Sequence, residues 1–237
     1  MSVYVVSDLH GEYQTLLKLL EKILFSPSDT LYIIGDVVDR GKEGVKILEY
    51  AMNTPNIVMM LGNHEHMCMD FFSELPDQKV VRRWNRNSNF YTLAGFDEVG
   101  EERKRKLLDY IRSLPSELHI TVDGKKFALI HGFTGKTDFD RVWNRPEIGE
   151  KPDLPDDETL IIGHTPVGEY VCPGDSLEDL YVYSRKLTEA GDHFRILHAK
   201  HFIDIDCNVG YGLSAARMAC LRLNDGMEFY QEVVPEC

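Results

Sequence analysis

The sequence predicts an α/β protein, and two observations predict it. Short apolar runs rich in β-branched residues alternate with amphipathic stretches over the first sixty residues, the order that buries a mostly parallel sheet under helices. Five such runs along the chain end at turns that carry Asp, Asn or His. Strand ends of this kind are where open α/β sheets keep their ligands.

Val3–Val6 runs into Ser7-Asp8-Leu9-His10-Gly11, and Thr30–Ile34 into Gly35-Asp36-Val37-Val38-Asp39-Arg40-Gly41. Ile57–Leu61 leads to Gly62-Asn63-His64-Glu65, Phe127–Ile130 to His131-Gly132, and Leu160–Ile162 to Gly163-His164-Thr165. Between the first two runs, Tyr13, Leu16, Leu17, Leu20, Ile23 and Leu24 recur at helical spacing, so residues 12–24 form an amphipathic helix. Val45, Leu48, Ala51 and Met52 mark a second helix, closed by Asn53-Thr54-Pro55. Met67–Phe72 reads as core-facing helix, 75–97 as an irregular insert and Glu101–Leu114 as a helix with a solvated basic face. Asp123-Gly124 joins Leu118–Val122 to Lys125–Ile130 in a type I′ hairpin. The chain is loop-like from His131 to Pro155. Residues 173–192 form an acidic, turn-rich insertion. Ala199–Asp206, Met218–Leu223 and Glu228–Val234 read as strands, so the β-rich second half suggests a second sheet facing the first.

Asp8, His10, Asp36, Asn63, His131 and His164 form a mixed set of oxygen and imidazole donors without cysteine, suited to manganese, iron or zinc. Six donors exceed one tetrahedral site, and a carboxylate can bridge two ions, as in two-metal phosphoester hydrolases. Singly, each has a plainer reading. Asp8 or Asn63 could cap a helix, Asp36 could be a turn residue, and either late histidine could sit in the core.

The ordered series Asp-x-His-Gly, Gly-Asp-x-x-Asp-Arg-Gly, Gly-Asn-His-Glu, His-Gly and Gly-His-Thr resembles the phosphoprotein phosphatase family of calcineurin-like metallophosphoesterases, over Asp8 to about Asp206. Both bacterial serine/threonine phosphatases and symmetrical dinucleoside tetraphosphatases belong to it. The resemblance implies two facing mixed β-sheets flanked by helices, two divalent ions, and direct attack of a metal-bridging hydroxide on phosphorus. It makes Asp36 the bridge and Asn63 a ligand of the second ion, with His64 as general acid paired to Asp39. It makes Arg40 and Arg145 phosphate clamps, and residues 75–97, with Trp84 ahead of Thr92-Leu93, a lid-like insert. Leu61 stands where protein phosphatases usually carry arginine. That favours dinucleotide-cleaving relatives as the alternative to a phosphoprotein substrate, with a non-catalytic metal-binding regulator as a third reading. Phe133 and Asp206-Cys207 also depart from the pattern. His198-x-x-His201 resembles a chelating pair, but a surface strand explains it equally well.

The 237 residues carry 26 basic and 39 acidic side chains, a net charge of −13. That argues against sequence-independent nucleic-acid binding. No Pro/Gly/Ser-rich linker divides the chain, so residues 1–237 are expected to be a single domain. Five cysteines, Cys68, Cys172, Cys207, Cys220 and Cys237, lack Cys-x-x-Cys pairing, and the first strand leaves no room for a signal peptide. No apolar run approaches membrane-spanning length. A reduced, cytoplasmic setting is the expectation.

Overall fold

Strand β1 (Val3–Val6) leads into helix α1 (Tyr13–Lys22), then β2 (Thr30–Ile33), α2 (Gly44–Asn53), β3 (Ile57–Met59) and α3 (Asn63–Phe71). Helices α4 (Gln78–Arg86), α5 (Phe90–Val99) and α6 (Glu101–Arg112) follow, before the hairpin of β4 (Glu117–Val122) and β5 (Lys125–Ile130). The chain continues through α7 (Asp138–Trp143), β6 (Glu158–Ile162), α8 (Val167–Val171), α9 (Leu177–Glu189) and β7 (Leu197–His198). It ends with β8 (Phe202–Asp204), β9 (Arg217–Arg222) and β10 (Met227–Glu232). This is a computed structural model; it describes residues 1–235, and Glu236 and Cys237 lie outside the described residues.

The strands form two mixed five-stranded sheets, ordered β10-β9-β1-β2-β3 and β4-β5-β6-β8-β7. Each is built on three parallel strands, β1-β2-β3 in one and β5-β6-β8 in the other, with antiparallel strands outside them. Alternate side chains along a strand point to opposite faces. Val3 and Val5 of β1 therefore join Phe127 and Leu129 of β5 and Ile161 of β6 in the core between the sheets. Tyr4 and Val6 instead meet Leu16, Leu19, Ile47 and Leu48 of the helices outside the first sheet. Ala128, Ile130, Leu160 and Ile162 face Phe133 and Phe202 on the outer side of the second. Because both sheets are covered, their parallel strands read as continuous apolar runs, as the sequence shows.

The hairpin expectation holds in detail. Asp123 and Gly124 both have positive φ, 48° and 79°, and Val122 pairs with Lys125, as a type I′ turn requires. Two stretches expected as irregular are largely helical, and a third, the loop expected over 131–155, holds one short helix. Residues 75–97 hold α4 and most of α5; Trp84 is α4's one fully buried residue, too thin an apolar pattern for periodicity to register. Its N-cap is Asp77, whose side chain accepts from Lys79 N at 2.8 Å. The acidic 173–192 segment holds α9, because its acids start the helix: Ser176 and Asp179 form a capping box. Within the expected 131–155 loop, Thr137 and Asp140 cap α7 in the same way. The strand expected from Ala199 to Asp206 is shorter, β8 at Phe202–Asp204, and pairs antiparallel with β7 just before that stretch. Among the described residues no helix is long and apolar enough to cross a membrane.

Leu129 is fully buried between the sheets, two residues before His131. Leu129→Ala should cost about 2–5 kcal/mol, the usual range for such a cavity. Urea unfolding measures it, and a loss under 1 kcal/mol would show that the inter-sheet core is not tightly packed there.

Candidate active site

The parallel strands bring five turns together at their carboxyl ends: Asp8 and His10 after β1, Asp36 after β2, Asn63 after β3, His131 after β5 and His164 after β6. All six side chains are buried. The turns are laced by backbone bonds, His10 N to Asp36 O at 3.0 Å and Gly11 N to Val37 O at 2.8 Å among them. Asp8, His10, Asp36, Asp39, Arg40 and His164 have φ between 40° and 69°, a region that non-glycine residues seldom occupy and that costs energy to hold. Such strain concentrated at one place marks a site the surrounding fold has to impose. Glycine clears the space around it. A Cβ on Gly62 would lie 2.2 Å from Asp36 Oδ1, and one on Gly35 2.8 Å from His131 Nδ1.

Two clusters share Asp36: His10, Asp36 and His64 in one, Asp36, His131 and His164 in the other, each with donor atoms within 4.8 Å of one another. His131 Nε2 stands 3.3 Å from Asp36 Oδ2 and 3.0 Å from Asn63 Oδ1. His10 Nε2 lies 3.9 Å from Asp36 Oδ2 and 4.0 Å from Asp8 Oδ1. Asp8 accepts from His164 N at 3.1 Å and from the Ser7 hydroxyl. His10 Nδ1 donates to Val38 O at 3.1 Å and His131 Nδ1 to Ile34 O at 2.7 Å. Each ring is thereby held in the tautomer that turns Nε2 toward the carboxylates, the outer arrangement typical of metal-binding histidines. His164 Nε2 is buried with no hydrogen-bond partner. This donor set fits divalent cations: oxygen and imidazole ligands, a shared carboxylate, and an imidazole nitrogen left without a partner. Burial works against charge on His131, yet Asp36 and Asp8 push its pKa up to about 10. Burial, Arg40 and His64 drive His10 well down, and burial with His131 does the same to His164. A cation at the carboxylates would replace the proton that they otherwise favour on His131.

His64 is arranged differently. Its Nδ1 donates to Asp39 Oδ2 at 2.6 Å, and its Nε2 lies 3.8 Å from Asp36 Oδ2 and 3.4 Å from Arg40 Nη2. A cation on that Nε2 would stand beside the Arg40 guanidinium, so the charge balance disfavours His64 as a ligand despite its place in the first cluster. Arg40 lies over the Tyr211 ring at 4.1 Å, and its Nη1 is buried without a partner. Arg145 is at the rim, half exposed and paired with Glu169 Oε2 at 2.6 Å. The six candidate donors thus come together with Asp39, Arg40 and His64, while Arg145 acts on His164 through its charge and is bonded to Glu169.

Several residues went unassigned in the sequence. Glu65, at the third position of α3, accepts from four backbone N–H groups: Asp36 at 2.8 Å, Gly62 at 3.1 Å, Val37 at 2.9 Å and Val38 at 3.2 Å. An acid three residues past a helix start was its visible signal. Asp206, buried just past β8, faces Asp8 and Arg40, and burial raises its pKa well above the carboxylate range. It follows β8, at the end of the stretch expected as one strand over Ala199–Asp206. Tyr211, distant in sequence from Arg40, gave no signal. His198 lies exposed on the short strand β7, as the surface-strand reading has it, and bonds Glu228 Oε1 at 2.7 Å.

Two facing sheets whose parallel strands deliver buried carboxylates and imidazoles to one point define a metal-dependent hydrolase. The chain belongs to the calcineurin-like phosphoesterase family, whose profile matches residues 1–195. It is 30% identical over 183 residues to serine/threonine-protein phosphatase 2 of Salmonella typhimurium, covering 68% of this chain and 78% of that one. It is 34% identical over 133 residues to a symmetrical bis(5′-nucleosyl)-tetraphosphatase of Actinobacillus succinogenes, covering 55% of this chain but only 44% of that protein. In fold it is similar to a protein serine/threonine phosphatase of Saccharomyces cerevisiae, with a TM-score of 0.59 at 13% identity over 100% of this chain and 81% of the other.

Glu65→Gln would turn an amide NH2 toward backbone donors. It should lower stability by about 1–3 kcal/mol, the cost of leaving such groups unpaired, and reduce the number of divalent ions retained. Urea unfolding and elemental analysis after dialysis measure both, and unchanged values would remove Glu65 from the support of Asp36.

Proposed function

We propose that this metallophosphoesterase is a serine/threonine protein phosphatase that uses two divalent ions. The place of Asp36 Oδ2 between two imidazoles, 3.9 Å from His10 Nε2 and 3.3 Å from His131 Nε2, supports the two-ion chemistry. The alignment with the Salmonella enzyme, spanning more of both chains than the tetraphosphatase match, favours a phosphoprotein substrate. Asp8, His10 and Asp36 would hold one ion, and Asp36, Asn63, His131 and His164 the other. Donors of this kind suit manganese, with iron or zinc as alternatives. Bound there, such ions supply Lewis acidity toward phosphoryl oxygens and acidify coordinated water. Arg40 and Arg145 then engage the remaining phosphoryl oxygens, for which the planar guanidinium fork is suited. The unpartnered Arg40 Nη1 is the group best placed to gain from an anion. Asp39 grips His64 by Nδ1–H and, when the ring carries a second proton, directs Nε2–H to the departing oxygen. We read the compartment as cytoplasmic, in keeping with four free cysteines among the described residues.

A second reading has a specific observation behind it. Leu61, buried in the apolar core, stands where protein phosphatases of the resembled family usually carry arginine, and this fits hydrolysis of dinucleoside polyphosphates. Product analysis decides between them. Manganese-loaded enzyme should release phosphate from a phosphoserine peptide with a kcat/KM above that for diadenosine tetraphosphate; the reverse order would establish the second reading.

If His64 donates the proton, its worth depends on the leaving group. A serine alkoxide is strongly basic, whereas p-nitrophenolate departs unaided. His64→Asn should lower kcat on a phosphoserine peptide by roughly 10²–10⁴, the range for acid–base catalysis, and by distinctly less on p-nitrophenyl phosphate, with bound metal preserved. Equal losses on both, or loss of an ion, would exclude the role.

A further inference from the structure

We infer that Trp84 and Thr92, carried by α4 and α5, are positioning residues that set His64 through Asp39. The inference rests on the proton-donor reading of His64 given above. Asp39 is fully buried with φ at 69°, a strained position for an aspartate. Its carboxylate accepts three hydrogen bonds. Oδ2 takes His64 Nδ1 at 2.6 Å and Trp84 Nε1 at 2.7 Å. Oδ1 takes the Thr92 hydroxyl at 2.6 Å, and the same hydroxyl receives Asp39 N–H at 2.9 Å. Among the described residues no lysine or arginine pairs with Asp39, so these neutral donors are what stabilise its charge beside the imidazole.

The two donors fix the plane of the carboxylate from both ends. With Oδ1 held by Thr92 and the indole beside Oδ2, the carboxylate cannot rotate away from Nδ1–H. The ring then stays in the tautomer and orientation that direct Nε2 toward the Asp36 side of the site. Neither residue is needed there for bulk alone. Trp84 packs against Phe71 at 4.8 Å between ring centroids and against Phe72 at 6.1 Å, contacts that phenylalanine would largely keep. Valine has nearly the shape of Thr92. What the native residues add is an N–H and an O–H, both directed at one carboxylate. Arg40 N also donates to Ser88 O at 3.0 Å, so the α4–α5 connection grips the Asp39-Arg40 turn at backbone level too.

The test is a set of double-mutant cycles on manganese-loaded enzyme, with p-nitrophenyl phosphate and a phosphoserine peptide as substrates. Trp84→Phe and Thr92→Val should each lower kcat on the peptide by about 10-fold, the order expected for one hydrogen bond to a charged group. Each should lower kcat on the aryl ester by much less and leave KM unchanged, and Thr92→Ser should restore the peptide rate. In a His64→Asn background both substitutions should have no further effect, because their route passes through the imidazole. Nitrogen-15 NMR of the metal-free protein supplies a readout besides activity: the His64 ring should be a single Nδ1–H tautomer in the native chain and a mixture in either variant. Losses that add to those of His64→Asn, or that fall equally on both substrates while His64→Asn keeps its leaving-group dependence, would overturn the positioning role and leave the proton-donor reading standing. Equal losses for His64→Asn itself would remove both.

Discussion

Asp36 is held from three directions, and the geometry of the whole site depends on that hold. From below, Glu65 ties down the N–H groups of Asp36, Val37 and Val38 with both of its oxygens. From α3, His64 N–H donates to Asp36 Oδ1 at 2.9 Å, directing the other oxygen toward His131. From the side, Gly62 leaves room that any Cβ would close. On the proposed reading Asp36 faces two cation sites, which requires a single rotamer, and these contacts hold it to one. Glu65 itself meets opposing pressures: burial and the Asp36 charge raise its pKa to about 7, while its backbone donors favour the anion.

This hold is expensive in backbone strain, and the sheets are what sustain it. Asp8, Asp36 and His164 each leave a strand at positive φ, yet the preceding residues Val6, Ile34 and Ile162 are fully buried and locked in ladders or cores. The apolar runs therefore do more than fill the interior. They clamp the start of each strained turn, while the backbone bonds between the β1 and β2 turns clamp its end. Stability is concentrated in the strands so that their last residues can be held out of preferred conformations.

The same division explains what could be read in the sequence. The strand-end ligands were legible because strands covered on both faces make continuous apolar runs, and a run that stops at Asp, Asn or His is local information. The hairpin at Asp123-Gly124 was legible for the same reason. The helices in 75–97 and 173–192 were not, since α4 buries one residue and α9 two, and α9 also exposes apolar side chains such as Leu177 and Val182 that blur its pattern. Their hydrophobic period is too faint to detect, and capping chemistry at Asp77 and Ser176 was the available signal. Tyr211 beside Arg40 was beyond reach: no local rule joins residues that only meet when the two sheets pack.

The layout also separates two kinds of chemistry by their origin in the fold. Residues at the ends of parallel strands come from the rigid centre, and all of them point into the shared-carboxylate cluster. The groups around the reacting position come from elsewhere: Trp84 and Thr92 from the α4–α5 segment, Tyr211 from the connection between β8 and β9, and Arg145 from the stretch after α7. Arg40 lies where these meet, its guanidinium between His64 Nε2 and the Tyr211 ring, with one nitrogen unsatisfied. On the proposed reading, a phosphate oxygen completes that nitrogen's bonding, and leaving it bare is costly enough to favour an occupied site. Arg145 contrasts with it: exposed and already neutralised by Glu169, it gains little from an anion until that pair opens. On the proposed reading, the fixed guanidinium would serve phosphate binding in general, and the exchangeable one, paired with Glu169, would leave room for discrimination among phosphoesters.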